Sequence, residues 1–137
     1  MNEEAAAFWG RAQVTLRTAE SLIESDPDSA ASRAYYVALN AVSALFALEG
    51  KTFSSHGGVE GAVHRDLVRT KRYPDIGTRY SSLSDLRSTA DYGAHMHVDE
   101  ADAKSAVADA PAICDMLEPE IVRGLSQDDA PRSPAGR

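Results

Sequence analysis

Arg87-Ser-Thr-Ala-Asp91-Tyr92-Gly-Ala-His95 sets a guanidinium, a carboxylate, a phenol and an imidazole close together in the chain. A guanidinium can bind a phosphate through two hydrogen bonds, and an imidazole can move a proton near neutral pH. Ile76, Tyr80, Leu83, Arg87, Ala90 and Ala94 also follow spacings of three and four. At about 100° per residue they share one narrow helical face, which their apolar character predicts to be buried. An arginine on such a face cannot shed its charge. It either pairs with a carboxylate, such as Asp91 one turn later, or lines a cleft open to an anion.

The other candidates sort by spacing. His95 lies eight residues after Arg87, and Gly93 between them is expected to end the helix. A chain that turns at Gly93 can bring His95 back toward Arg87 as a general acid or base; a solvated loop histidine is the other reading. His95-Met-His97 could share a metal only on an extended segment. No cysteine pair or Glu-flanked helical histidine pair supports one, so no metal is expected. Gly57-Gly58 lacks the lysine and strand of a phosphate loop. Ser54 and Ser55 beside His56 read as helix caps rather than part of a catalytic triad. Cys114 falls on an apolar stripe and reads as core.

Five amphipathic helices must position these groups, and no segment alternates as a strand does. The first is predicted over Glu3–Ser25, its stripe running through Phe8, Ala12, Leu16, Ala19 and Ile23. Asp26-Pro27-Asp28 stops it and caps the next. The second is predicted over Ser29–Glu49, with Ala31, Ala34, Tyr35, Ala38, Val42, Leu45 and Phe46 inward and Gly50 as its stop. Its opposite face, Arg33, Tyr36, Asn40, Ser43 and Ala47, is polar but flat and small. That suits either solvent or a packed partner. A third helix is predicted over Val59–Thr70, and a fourth over Asp75–Tyr92. After an extended Met96-His97-Val98, Asp99 caps a fifth, which Pro111 is expected to kink. From Ser126 onward the apolar content vanishes, which predicts a disordered tail over 126–137. The whole reads as an all-α, antiparallel up-and-down bundle over residues 1–125.

A chain of 137 residues suits one domain, and 43% hydrophobic with 26% charged residues is ordinary for a globule. The formal net charge of −7 argues against a non-specific nucleic-acid coat. It leaves room for a local basic cleft, because Arg65, Arg69, Lys71, Arg72, Arg79 and Arg87 gather mid-chain. No apolar run is long enough for a membrane span. The acidic Met1-Asn-Glu-Glu start is unlike a signal peptide, and a lone cysteine fits a reducing cytoplasm.

Several segments, in order, resemble the HEPN domain family. Ala31-Ser-Arg33-Ala-Tyr35-Tyr36-Val-Ala-Leu-Asn40-Ala is similar to its second-helix signature. Ala47-Leu-Glu-Gly50-Lys and Ser55-His56-Gly-Gly58-Val are similar to the loop and third-helix start that follow. Leu86-Arg87-Ser-Thr-Ala90-Asp91-Tyr92 resembles an R-x-x-A-D-Y segment, and Asp99-Glu-Ala-Asp-Ala the opening of the last helix. The resemblance spans about residues 5 to 122 and implies a homodimeric helical bundle. It also implies a toxin-like, metal-independent endoribonuclease paired with a minimal nucleotidyltransferase antitoxin. In such enzymes the arginine and histidine of an R-x(4–6)-H motif meet near the dimer interface, on the scissile phosphate. Here that assigns catalysis to Arg87 and His95, with Asp91, Tyr92, Arg33, Tyr36 and Asn40 lining the cleft and no cofactor. The sequence departs from the motif: Tyr92, Gly93 and Ala94 stand at the usual histidine distances. A non-catalytic module that binds a nucleotide, RNA or the nucleotidyltransferase is therefore the alternative.

Overall fold

The computed structural model describes the backbone of residues 2–129 and the side chains of residues 2–127. Among these residues every regular element is a helix: α1 (Glu3–Leu22), α2 (Pro27–Leu48), α3 (His56–Ala62), α4 (Ile76–Tyr92) and α5 (Glu100–Asp129). α3 widens directly into a π-helical stretch, Val63–Val68. The all-α bundle expected from periodicity is therefore the fold.

Local chemistry explains the boundaries. Asn2 caps α1 by accepting the Ala5 N–H, and its amide donates to the Ala47 carbonyl at the far end of α2. α1 stops at Leu22, a turn short of the predicted Ser25, because Asp26 already caps α2 with Pro27 in its first turn. At the other end of α2, Gly50 takes φ 75°, in the left-handed region that glycine enters without a Cβ clash. Gly50 and Lys51 donate back to the carbonyls of Ala47 and Phe46. Ser55 caps α3 through the Gly58 N–H, so the helix begins at His56 rather than Val59. Asp99 receives the Asp102 N–H and starts α5. α5 runs through Pro111 and also through Pro119, with no break in helical assignment. It reaches Asp129, so the first residues of the expected tail are helical; residues 130–137 lie outside the described part.

α2 is the central element, packed against α1, α4 and α5. It is buried nearly all round, from Ala30 and Ala31 to Phe46 and Ala47. Its many alanines let neighbouring backbones come close, while Tyr35, Val37, Leu45 and Phe46 fill the wider gaps. Each such large side chain, fully buried, contributes about 1.5–3 kcal/mol. In α1 the alanines at 5, 12 and 19 are fully buried, and Phe8, Trp9 and Leu16 are only partly covered. The small residues make the contact, and the large ones close its sides. One consequence matters for function. The polar face of α2 is neither freely solvated nor sealed: α1 and the segment before α3 wall it into a cleft.

Candidate functional site

α4 carries Arg87 one turn beyond the fully buried Leu83. Its side chain is only 16% exposed. The guanidinium carbon lies 4.8 Å from the centre of the Tyr35 ring and 5.8 Å from that of Tyr92. Both are cation–π distances. Asp91 is one turn away, but its Oδ2 stands 3.7 Å from Arg87 Nη1, beyond hydrogen-bond reach. Arg87 Nε is buried without a partner. Burial works against the guanidinium's charge, yet the hydroxyls of Tyr35, Tyr36 and Tyr92 outweigh it and move the pKa up. The carboxylate reading of Arg87 is met only loosely, by Asp91 at 3.7 Å, and the buried Nε is left without a partner among the described residues.

Behind it, Tyr35 and Tyr80 meet edge to face, ring centres 5.9 Å apart. Burial pushes both phenols above their usual pKa. Tyr80 thus backs the Tyr35 ring on which the guanidinium rests.

Arg33, Tyr36 and Asn40 share the walled face of α2. They line a cleft of about 430 Å³ with Arg11 of α1, Phe53 and His56. Tyr36 and His56 stand edge to face, 5.6 Å between ring centres. Asn40 is 7% exposed and makes no hydrogen bond to any described residue. Arg33 also lines a second, smaller pocket of about 170 Å³ with Asp28, Ser29, Ser32, Ala90 and Asp91. It therefore joins the large cleft to the end of α4.

The segment after α4 departs from simple expectation. His95 is exposed and has no polar contact among the described residues. Its neighbour His97 is the positioned one: Nδ1 lies 2.9 Å from Asp28 Oδ2. The other Asp28 oxygen accepts the Val98 N–H at 2.7 Å. Tyr92 is 76% exposed, its ring beside Arg87. So Arg33, Tyr36 and Asn40 come together, as do Arg87, Asp91 and Tyr92. Arg33 and Asp91 meet across the small pocket, and His95 stays outside both groups.

Sequence reasoning gave no site role to His56, Arg11 or Tyr35 and did not pair Asp28 with His97. The last had no local signal, since the two residues are far apart in sequence. His56 had one: it stands in a serine–histidine–glycine segment with an otherwise unexplained ring. Among the described residues, no group of three or more His, Cys, Asp or Glu could hold a metal. Nor is any described helix long and apolar enough to cross a membrane.

An all-α bundle whose central helix presents an arginine–tyrosine–asparagine face to a cleft is a small helical domain. Comparison with known proteins narrows the class. The HEPN domain model matches residues 5–120. A UPF0332 protein of Thermotoga maritima is 33% identical over 119 residues, covering 85% of this chain and 90% of that protein. The chain belongs to the HEPN domain family.

Proposed function

We propose that this HEPN chain binds single-stranded RNA, with Arg87 contacting a phosphate. One observation carries the reading. The Arg87 guanidinium is held between Tyr35 and Tyr92, charged and mostly buried, while its nearest carboxylate is too distant to take its hydrogen bonds. Such a cation is pre-positioned for an oxyanion. With a net charge of −7, attraction to RNA must be local, and Arg33 and Arg11 add to it on the adjoining cleft. Exposed Tyr92 offers a face for base stacking. The family resemblance supports a homodimer acting as the toxin-like half of a pair with a nucleotidyltransferase antitoxin.

Metal-independent endoribonuclease activity is the second reading, and the Asp28–His97 pair favours it. A carboxylate that orients an imidazole sets its tautomer for proton transfer. In that scheme a histidine takes the 2′-hydroxyl proton as that oxygen attacks the neighbouring phosphorus. A 2′,3′-cyclic phosphate forms as the P–O5′ bond breaks, and the 5′-oxygen leaves as an alcohol with a proton from water or from the imidazolium. Arg87 neutralises the phosphate. His97 has the positioning partner; His95, assigned by the resemblance, has none among the described residues.

Retention and cleavage of a mixed RNA pool by metal-stripped protein test both readings. Binding lost in Arg87→Gln, with folding intact, supports the first; unchanged binding removes it. Cleavage lost in His97→Ala and kept in His95→Ala supports the second with His97 as the proton carrier. A folded wild-type protein that binds RNA without cutting it limits the function to binding.

A further inference from the structure

The large cleft beside α2 is a groove rather than a round pocket. It follows α2 from Arg33 to Ser43, which is about 15 Å along the helix axis. A smaller hollow of about 60 Å³ shares Phe8, Ser43, Phe53 and Val59 with it and carries it on to Lys51. A groove of about 15 Å matches four or five residues of extended chain, at about 3.3 Å each.

The lining tells what kind of chain. Buried Leu39 and Val59, with half-buried Phe8 and Phe53, make the groove apolar. Its cations are Arg11 on α1 and Arg33 on α2, and no aspartate or glutamate lines the main cleft. Neither arginine has a carboxylate within ion-pair distance among the described residues, whereas Arg65, Arg72 and Arg79 each do. In a chain of net charge −7 this is a local positive patch on an apolar groove. A nucleic-acid strand carries a phosphate at every nucleotide and calls for a groove that is basic along its length. Two cations beside four apolar side chains suit instead an apolar residue flanked by carboxylates. Asn40, on the same stretch of α2, has an amide that can accept a main-chain N–H and donate to a main-chain carbonyl of such a segment.

We infer that this groove docks a short acidic segment of a partner protein. An aliphatic or aromatic side chain of the segment packs against Phe8 and Phe53, and its carboxylates meet Arg11 and Arg33. Recognition is by a few anchors on an extended chain, with charge setting the choice of partner. This surface is separate from Arg87 and does not depend on that residue binding RNA.

Phage display of short random peptides against the full chain tests this, the enriched peptides then being measured by fluorescence anisotropy. They are expected to place Asp or Glu beside Leu, Ile or Phe. The double variant Arg11→Glu with Arg33→Glu changes two exposed residues, so the fold should hold, as thermal melting would show. It should weaken peptide binding at least about tenfold, because like charges then face one another. Arg17→Glu with Arg69→Glu makes the same change in net charge at exposed positions outside the groove. It should leave affinity within about twofold, since salt screens charges that far away. Enriched peptides without acidic residues overturn the inference, as do peptides that bind the folded Arg11 and Arg33 variant as tightly as wild type. Equal loss in both double variants overturns it too, because net charge alone then accounts for the binding. A selection that enriches no peptide also overturns it. If a labelled single-stranded RNA then loses affinity in the Arg11 and Arg33 variant but not in the other, the groove belongs to the strand.

Discussion

Replacing Arg87 by methionine separates a structural arginine from a receptive one. Methionine keeps an unbranched, polarisable chain between Tyr35 and Tyr92 but removes the charge. Lost are two cation–π contacts, at 4.8 and 5.8 Å, each worth about 0.5–1 kcal/mol where water reaches the pair, as it does at the exposed Tyr92. The Asp91 contact at 3.7 Å adds little, because the Asp91 side chain is 31% exposed and water can take it over. Such a loose pair is worth about 0–1 kcal/mol. Removing the partnerless Nε returns part of the loss. The net expectation is a destabilisation of about 1 kcal/mol. With a urea m-value of about 1–3 kcal/mol per molar, the unfolding midpoint should fall by about 1 M or less. If the arginine were the sole partner of a buried acid, removing it would cost about 3–5 kcal/mol. A midpoint that collapses by several molar would refute the reasoning and make Arg87 part of the core.

Two further predictions test the site's supports. A Cβ at position 93 would sit 2.6 Å from the carbonyl oxygens of both Thr89 and Met96. These are backbone atoms, so Gly93→Ala should destabilise by about 1–3 kcal/mol and shift the His95–His97 segment, seen as changed imidazole NMR signals. Unchanged stability and signals would show that the turn is not fixed there. At high pH, burial and the neighbouring Glu120 push Tyr73 from 10.0 up to about 12, and burial pushes Cys114 from 9.0 up to about 12. A raised folded-state pKa favours the protonated form. Stability from these groups is therefore full below their unfolded values and falls as pH rises toward 12. Tyr73→Phe should flatten the part of that fall above pH 10 in urea titrations; an identical slope would contradict the assignment.

The periodic stripes foretold five helices, and the caps at Asp26, Ser55 and Asp99 and the Gly50 stop lie where their chemistry placed them. What stayed hidden depended on distant neighbours. The polar face of α2 was legible, but its enclosure by α1 and the 53–56 segment was not. From the residues alone, Asn40 therefore suited either solvent or a packed partner, and only the resemblance placed it on a cleft. Arg87 stood out because an arginine on an apolar face is unusual, yet its aromatic setting needed α2 to bring Tyr35 to it. The resemblance pointed to His95, and the carboxylate at the start of α2 that holds His97 could not be read from local sequence. Pro111 read as a kink site, and α5 is helical through it and through Pro119.

The central claim is that Arg87 is a phosphate contact on RNA. Its most direct test is the equilibrium affinity of the full chain for one labelled single-stranded RNA, comparing wild type with Arg87→Gln across a salt series. The account predicts at least about tenfold weaker binding by the folded variant and a log–log salt slope lower by about 0.7, the share of one phosphate contact on a single strand. Equal affinity and equal slope in a folded Arg87→Gln protein would contradict it.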